Sequence, residues 1–215
     1  AGVLLLMNWS IAGYGQDTEG VRFPHGIYWL GPRQQPIPQA ILENTYVKGV
    51  VLRIGWQDVE PREGSYDWSY FDREITRAAE RGKLGSLKIA AAGRNTPPWV
   101  VQLPGVQKFT FVDPNPYHRK TFKQEVVIPV FWDPVFLQKK EQLIRAWGDH
   151  LSRNPHLVTV DVTCAHAMTG DWSVPAKTDR DIQNWLRIGY SPKKLVEACK
   201  EIIDATRAAF PRKVV

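Results

Sequence analysis

The chain has 215 residues, of which 43% are hydrophobic and 23% charged, with a formal net charge of +6. That balance is close to the globular average and excludes a disordered, collagen-like or coiled-coil chain, and no stretch holds the roughly 20 apolar residues that a membrane-spanning helix needs. Two cysteines cannot make a disulfide framework or a Cys-rich zinc site, while 9 Trp beside 16 Pro and 16 Gly suit a fold whose loops build a binding cleft.

In chain order, Val3 to Met7 is a short apolar run followed by Ser10, Ala12, Gly13 and Gly15. It reads either as the remnant of a secretory signal or as a buried strand. On the first reading, residues 1–23 stand apart from the domain and the protein is secreted or periplasmic. Gly26 to Leu30 reads as a strand and Gln39 to Asn44 as a short helix. Lys48 to Trp56 is a β-branched run bounded by Gly, the pattern of a strand covered on both faces. The loop Gln57 to Asp67 leads into a helix over Ser69 to Lys83, with Tyr70, Phe71, Ile75, Ala78 and Ala79 on its inner face. Leu84 to Ala92 is the next strand. A long loop follows, Gly93 to Pro134, with local strands at Phe109 to Val112 and Glu125 to Phe131; a loop of this length in a compact domain is usually functional. Val135 to Arg153 is a helix striped by Phe136, Leu143, Ile144, Trp147 and Leu151. Leu157 to Thr163 is a strand, the loop Cys164 to Pro175 follows, and Asp179 to Ile188 and Pro192 to Phe210 are helices. Val214 and Val215 read as the start of another strand.

Strands alternating with helices at this spacing predict a parallel sheet covered by helices. No Gly-rich phosphate turn follows the first strand and no Walker-type motif occurs, which argues against a doubly wound nucleotide-binding sheet. The long loops follow strand C-termini and the helix-to-strand links are short, the asymmetry of a (β/α)8 TIM barrel. The predicted fold class is therefore α/β, with residues 24–215 forming about the first four βα units. At this spacing eight units need about 380 residues, within the range of such barrels. The expectation is an N-terminal half of a barrel, cut as a fifth strand begins, whose open sheet edge is covered by the rest of the barrel or by a second copy. The charges are scattered: Asp72, Arg73, Glu74, Arg77, Glu80 and Arg81 in one run, Lys139, Lys140 and Glu141 in another. They read as solvated mixed-charge helix faces rather than as a nucleic-acid or membrane surface.

Leu52-Arg53-Ile54-Gly55-Trp56, Glu60-Pro61, Gly64-Ser65-Tyr66-Asp67-Trp68 and Phe71-Asp72 together resemble a stretch of the barrel glycoside hydrolases of the β-galactosidase and cellulase clan. Thr96-Pro97-Pro98-Trp99 and Phe131-Trp132-Asp133-Pro134 are similar to the same clan, and the resemblance covers about residues 24–215. It implies a TIM barrel that hydrolyses β-linked oligo- or polysaccharides with retention and without a cofactor. Two carboxylates do the work there: an acid protonates the leaving oxygen and a nucleophile about 5–5.5 Å away attacks the anomeric carbon. The acid/base follows strand four and is usually a Glu preceded by Asn; the nucleophile follows strand seven and so lies beyond this chain. Here the matching loop holds Gly170-Asp171-Trp172, similar to the Gly-Glu-Trp of some relatives with Asp in place of Glu. Asp is one methylene shorter, a reach difference of ~1 Å that can cost a hundredfold in rate.

By this resemblance Asp171 is the candidate acid/base, and Arg53 the cation that orients the nucleophile and keeps it ionised. A structural ion pair is the alternative for Arg53 and a loop carboxylate for Asp171. Trp29, Trp56, Trp99 and Trp172 lie at or just after strand ends, where indole faces stack on sugar C–H surfaces; core packing is expected to claim at least two of them. Asn95 and His166 read either as groups that bond sugar hydroxyls or as a turn residue and a loop histidine with no particular role. Glu60 reads as a structural loop carboxylate that ties down backbone N–H groups or Arg62, and Asp67 with Ser69 suits a helix start. The five histidines have no paired spacing, so no metal site is expected. Cys164 and Cys199 read as two buried free thiols rather than a disulfide. Two further readings stay open: a carbohydrate-binding barrel without catalysis, and an unrelated α/β enzyme acting on a phosphorylated substrate.

Overall fold

A computed structural model describes residues 21–165 and 174–215. The apolar run Val3 to Met7 lies outside the described residues, as do His166, Asp171 and Trp172. Four strands, β1 (Ile27–Leu30), β2 (Val47–Gly55), β3 (Leu84–Ala90) and β6 (Leu157–Val162), form one parallel sheet in the order β1-β2-β3-β6. The chain visits them in spatial order, with helices between, so they are the first four strands of a (β/α)8 barrel. Val214 then bonds alongside β6, with Val160 N–H to Val214 O at 2.8 Å and Val214 N–H to Val158 O at 3.0 Å, as a fifth parallel strand would start.

Period-2 alternation decides what each face of the sheet carries. Leu52, Leu87 and Val160 share one layer, and with Val50, Ile54, Ile89 and Val158 they face the helices, all essentially buried. One residue on, Arg53, Lys88 and Asp161 share a layer of the opposite, inner face, and Lys88 Nζ lies 2.7 Å from Asp161 Oδ2. The dry side supplies the folding free energy, at about 1.5–3 kcal/mol for each large aliphatic side chain buried. The inner side carries the polar chemistry.

The helices are α1 (Gln39–Glu43), α2 (Trp56–Val59), α3 (Ser69–Ala79), α4 (Pro98–Gln102), α5 (Pro134–Leu151), α6 (Asp179–Arg187) and α7 (Pro192–Ala209). The two long helices α5 and α7 pack closely, since a Cβ on Gly148 would come within 2.7 Å of the Ala209 backbone. Helix α3 stops at Ala79, short of the expected Lys83, because the chain turns through Gly82 at φ +65°. The long loop contains an antiparallel hairpin, β4 (Lys108–Val112) with β5 (Glu125–Pro129), that lies outside the barrel sheet. Its Phe109 stacks on Trp185 of α6 with ring centroids 3.7 Å apart. At the neck, Val130 N–H bonds Gln107 O at 2.8 Å. Asp133 both accepts from Gln107 N at 3.0 Å and caps α5 through Phe136 N at 2.8 Å.

Three expectations are corrected. Glu74 is not a solvated member of a charge run: it is fully buried, bonding Ile37 N at 2.9 Å and pairing with Arg73 and Arg77 at 2.9 and 2.6 Å. Lys140 is likewise fully buried. Cys164 and Cys199 are not free thiols; they form a disulfide with Cα atoms 5.2 Å apart, joining the end of β6 to α7.

Candidate active site

The C-terminal ends of the strands in a parallel barrel are where side chains and loop backbone converge. The turn after β1 is pinned at several points. Arg53 donates through Nε and Nη2 to Gly31 O at 3.0 and 2.6 Å. Gln34 N–H bonds Arg53 O at 2.8 Å, and the Tyr70 hydroxyl donates to Gln35 O at 3.1 Å. Arg53 therefore has no carboxylate partner among the described residues; a backbone carbonyl holds it in the inner-face layer it shares with Lys88 and Asp161.

This pinning places Arg33 across the mouth, where its Nη1 donates to Asn95 Oδ1. Asn95 is 3% exposed and belongs to a short 3-10 turn, Gly93–Asn95, after β3. The two side chains and Asp58 crowd the end of β2: a Cβ on Gly55 would meet Asp58 Oδ2 at 2.7 Å, then Arg33 and Asn95. A side chain at this position would displace the Asp58 carboxylate and press on Arg33 and Asn95.

The exit of β6 is built differently. Lys140 reaches it from α5 and donates to Thr163 O and Cys164 O, the latter at 3.0 Å. Burial pushes its amine down to about 7. The Thr163 hydroxyl donates to Ile89 O at 3.1 Å and accepts from Ala91 N at 2.7 Å, fastening β6 to the end of β3. The disulfide holds Cys164 to α7. Nothing in the sequence spacing announced Lys140 as a functional residue, but its position four residues after Phe136 and four before Ile144 puts it on the apolar stripe of α5.

The tryptophans divide. Trp56 is fully buried, and its indole N–H donates to Glu60 Oε2 at 2.7 Å; it has no surface to offer a sugar, so its expected place in a sugar-binding wall is corrected to core. Trp99 is partly buried, packs edge-on to Trp56 and donates to Glu60 O at 3.0 Å. Trp29 pairs in register with Val50, which puts it on the helix side of the sheet. Glu60 is the structural carboxylate expected, buried and accepting from Gly64 N at 2.8 Å. Beside it, burial first and the Glu60 charge second push the Tyr66 phenol up to about 12. Asp67 accepts from Ser69 N at 2.9 Å at the start of α3.

Between the β1 turn, the 3-10 turn and the hairpin lies an open cleft of about 570 Å³ that Arg33, Arg94, Asn95, Thr96 and Lys120 help to line. Sequence reading missed Arg33, Arg94 and Lys120; the only signal was a basic residue soon after each of two strand ends. Among the described residues no group of three His, Cys, Asp or Glu side chains is placed to hold a metal ion.

Known proteins agree with this architecture. A family sequence model described as β-galactosidase, of glycoside hydrolase family 42, matches residues 42–201. The chain is 25% identical over 157 residues to the β-galactosidase BbgII of Bifidobacterium bifidum, covering 68% of this chain and 20% of that protein. The fold is similar to that of the β-galactosidase from Bacillus circulans sp. alkalophilus, with TM-score 0.56 and 14% identity over 88% of this chain and 36% of the other. It is also similar to the exo-β-1,4-mannosidase Op5Man5 from Opitutaceae bacterium strain TAV5, with TM-score 0.52 and 18% identity over 95% of this chain and 33% of the other. The chain thus spans about a fifth of the curated relative and about a third of the solved ones.

Proposed function

The chain belongs to the glycoside hydrolase family 42 β-galactosidases, and we propose that it forms the half of a retaining β-glycosidase that carries the acid/base and the nucleophile's orienting cation. The observation that carries this reading is the family match across residues 42–201, which runs through the exits of β2, β3 and β6 and includes Arg53 and Asp171. Chemistry of this type needs a proton donor on one side of the glycosidic bond and an ionised carboxylate on the other. Asp171 is the donor in this proposal, eight residues after Thr163, which is held by Lys140 at its carbonyl and by Ile89 and Ala91 at its hydroxyl. Arg53 is the cation on the inner face, where a neighbouring nucleophilic carboxylate from the rest of the barrel would be kept ionised. His166 and Trp172 belong to the same loop as Asp171 and are proposed to bind the sugar. The Cys164–Cys199 disulfide supports a secreted or periplasmic location, since such bonds persist in oxidising compartments.

The test uses the whole protein and a panel of aryl β-glycosides. Turnover is expected with at least one of them, and Asp171→Asn is expected to lower kcat by about 10²–10⁴. Unchanged turnover in that variant removes Asp171 from the acid/base role. The second reading, a sugar-binding barrel without catalysis, is favoured by Asp171 standing where the resemblance implies a Glu. Retained sugar binding with no turnover by the wild type would select it.

A further inference from the structure

The cleft beside the β3 exit is lined by three cations drawn from three separate loops: Arg33 after β1, Arg94 in the 3-10 turn and Lys120 in the hairpin. Ion pairs occur elsewhere in the molecule, yet none among the described residues involves these three. Arg33 bonds the neutral Asn95 amide, and Arg94 bonds the Thr121 hydroxyl at 2.7 Å. One carboxylate, Glu125, lines the same cleft without pairing to them. The cations also oppose one another. Burial disfavours the charged form of Arg94; Asp113 works against this, and Arg33 adds to it to a lesser degree. Gathering like charges costs free energy unless something neutralises them. Thr96, 4% exposed, also lines the cleft, with its hydroxyl turned away from the open space.

We propose that this cleft is a subsite for an anionic group on a saccharide, a uronic acid carboxylate or a sulfate ester, held by Arg33, Arg94 and Lys120. Guanidinium groups suit such an anion because their planar N–H forks match carboxylate and sulfate oxygens. The cleft adjoins the mouth of the barrel through Asn95, so a chain bound there continues toward the strand exits. The inference rests on the reading of a carbohydrate substrate given above.

The experiment is calorimetric titration of the whole protein with three β-linked disaccharides of the same size: one neutral, one carrying glucuronate and one carrying a sulfate ester. The wild type is expected to bind at least one charged sugar about tenfold more tightly than the neutral one, with the advantage shrinking at high salt. Comparison of the two charged sugars separates carboxylate from sulfate. Arg94→Gln is expected to bring the ratio near unity, and the exposed Lys120→Gln to lower it about threefold with melting unchanged. Equal binding of neutral and charged sugars overturns the subsite and leaves the carbohydrate reading standing. A charged-sugar preference that persists in both variants also overturns it. Failure of all three sugars to bind removes the carbohydrate reading and the subsite together.

Discussion

The exits of β3 and β6 lie side by side in one sheet and are built on opposite principles. At β6 each feature restrains backbone: a buried amine on two carbonyls, a threonine bridging to β3, a disulfide to α7. At β3 the side chains are polar, charged and only partly engaged, around an open cleft. The first arrangement suits a loop that must hold a reacting group to within a fraction of an ångström. The second suits recognition, where charge and shape select a ligand and some freedom is tolerable. Mutations at the β6 exit should therefore move stability first, and mutations at the β3 exit should move binding first.

The largest effect that could break this contrast is at Lys140. Lys140→Ala leaves a cavity and two buried carbonyls without a donor, and a loss of about 3–5 kcal/mol is expected in urea unfolding. A loss below about 1 kcal/mol would mean that the amine does not hold the exit. Removing the disulfide by Cys164→Ser with Cys199→Ser is expected to cost about 2–4 kcal/mol, read as a lower unfolding midpoint. A pH series sharpens the Lys140 assignment. The folded amine titrates near 7, whereas in the unfolded chain it keeps its proton to above pH 10. Between these values the unfolded state binds more protons, so wild-type stability relative to Lys140→Met should rise with pH, by at most about 1.4 kcal/mol per unit. A flat difference across pH 7–10 would contradict a depressed amine. The smallest expected effect is at the β3 exit: Thr96→Val should leave stability within about 1 kcal/mol or raise it slightly, because the buried hydroxyl has no hydrogen bond to lose among the described residues.

Much of the scaffold was legible because it is periodic. The β-branched run of β2 and the stripes of α3 and α5 fixed strands, helices and their order, and the long loops fixed the working end of the barrel. Reading Lys140 and Glu74 from their charged neighbours rather than from their phase on the helix placed both in solvent. Glu74 sits between Phe71 and Ala78 as Lys140 sits between Phe136 and Ile144, and a charge on that stripe must be buried with partners. The disulfide depends on how α7 lies against β6, which no local pattern encodes. The cationic cleft was illegible for a related reason. Its three charges come from positions 33, 94 and 120, and only the parallel register and the fold-back of the hairpin bring them together. Trp56 was misassigned because a strand end looks the same whether the ring turns toward the mouth or into the core; Glu60 four residues later is what turns it inward.

The neck of the hairpin has a consequence for how this surface can change. Gln107 and Val130 are bonded to each other, and Asp133 ties the same neck to the first turn of α5. Everything between those two residues leaves and returns at one point, but Phe109, Phe111, Val126 and Ile128 are buried in the main core, so only the tip over residues 114–124 stands as a graft on it. Length and sequence can vary there without shifting the register of the parallel strands. That tip brings Lys120 to the cleft, so exchanging the tip would retune which ligands are accepted while the scaffold beneath stays the same.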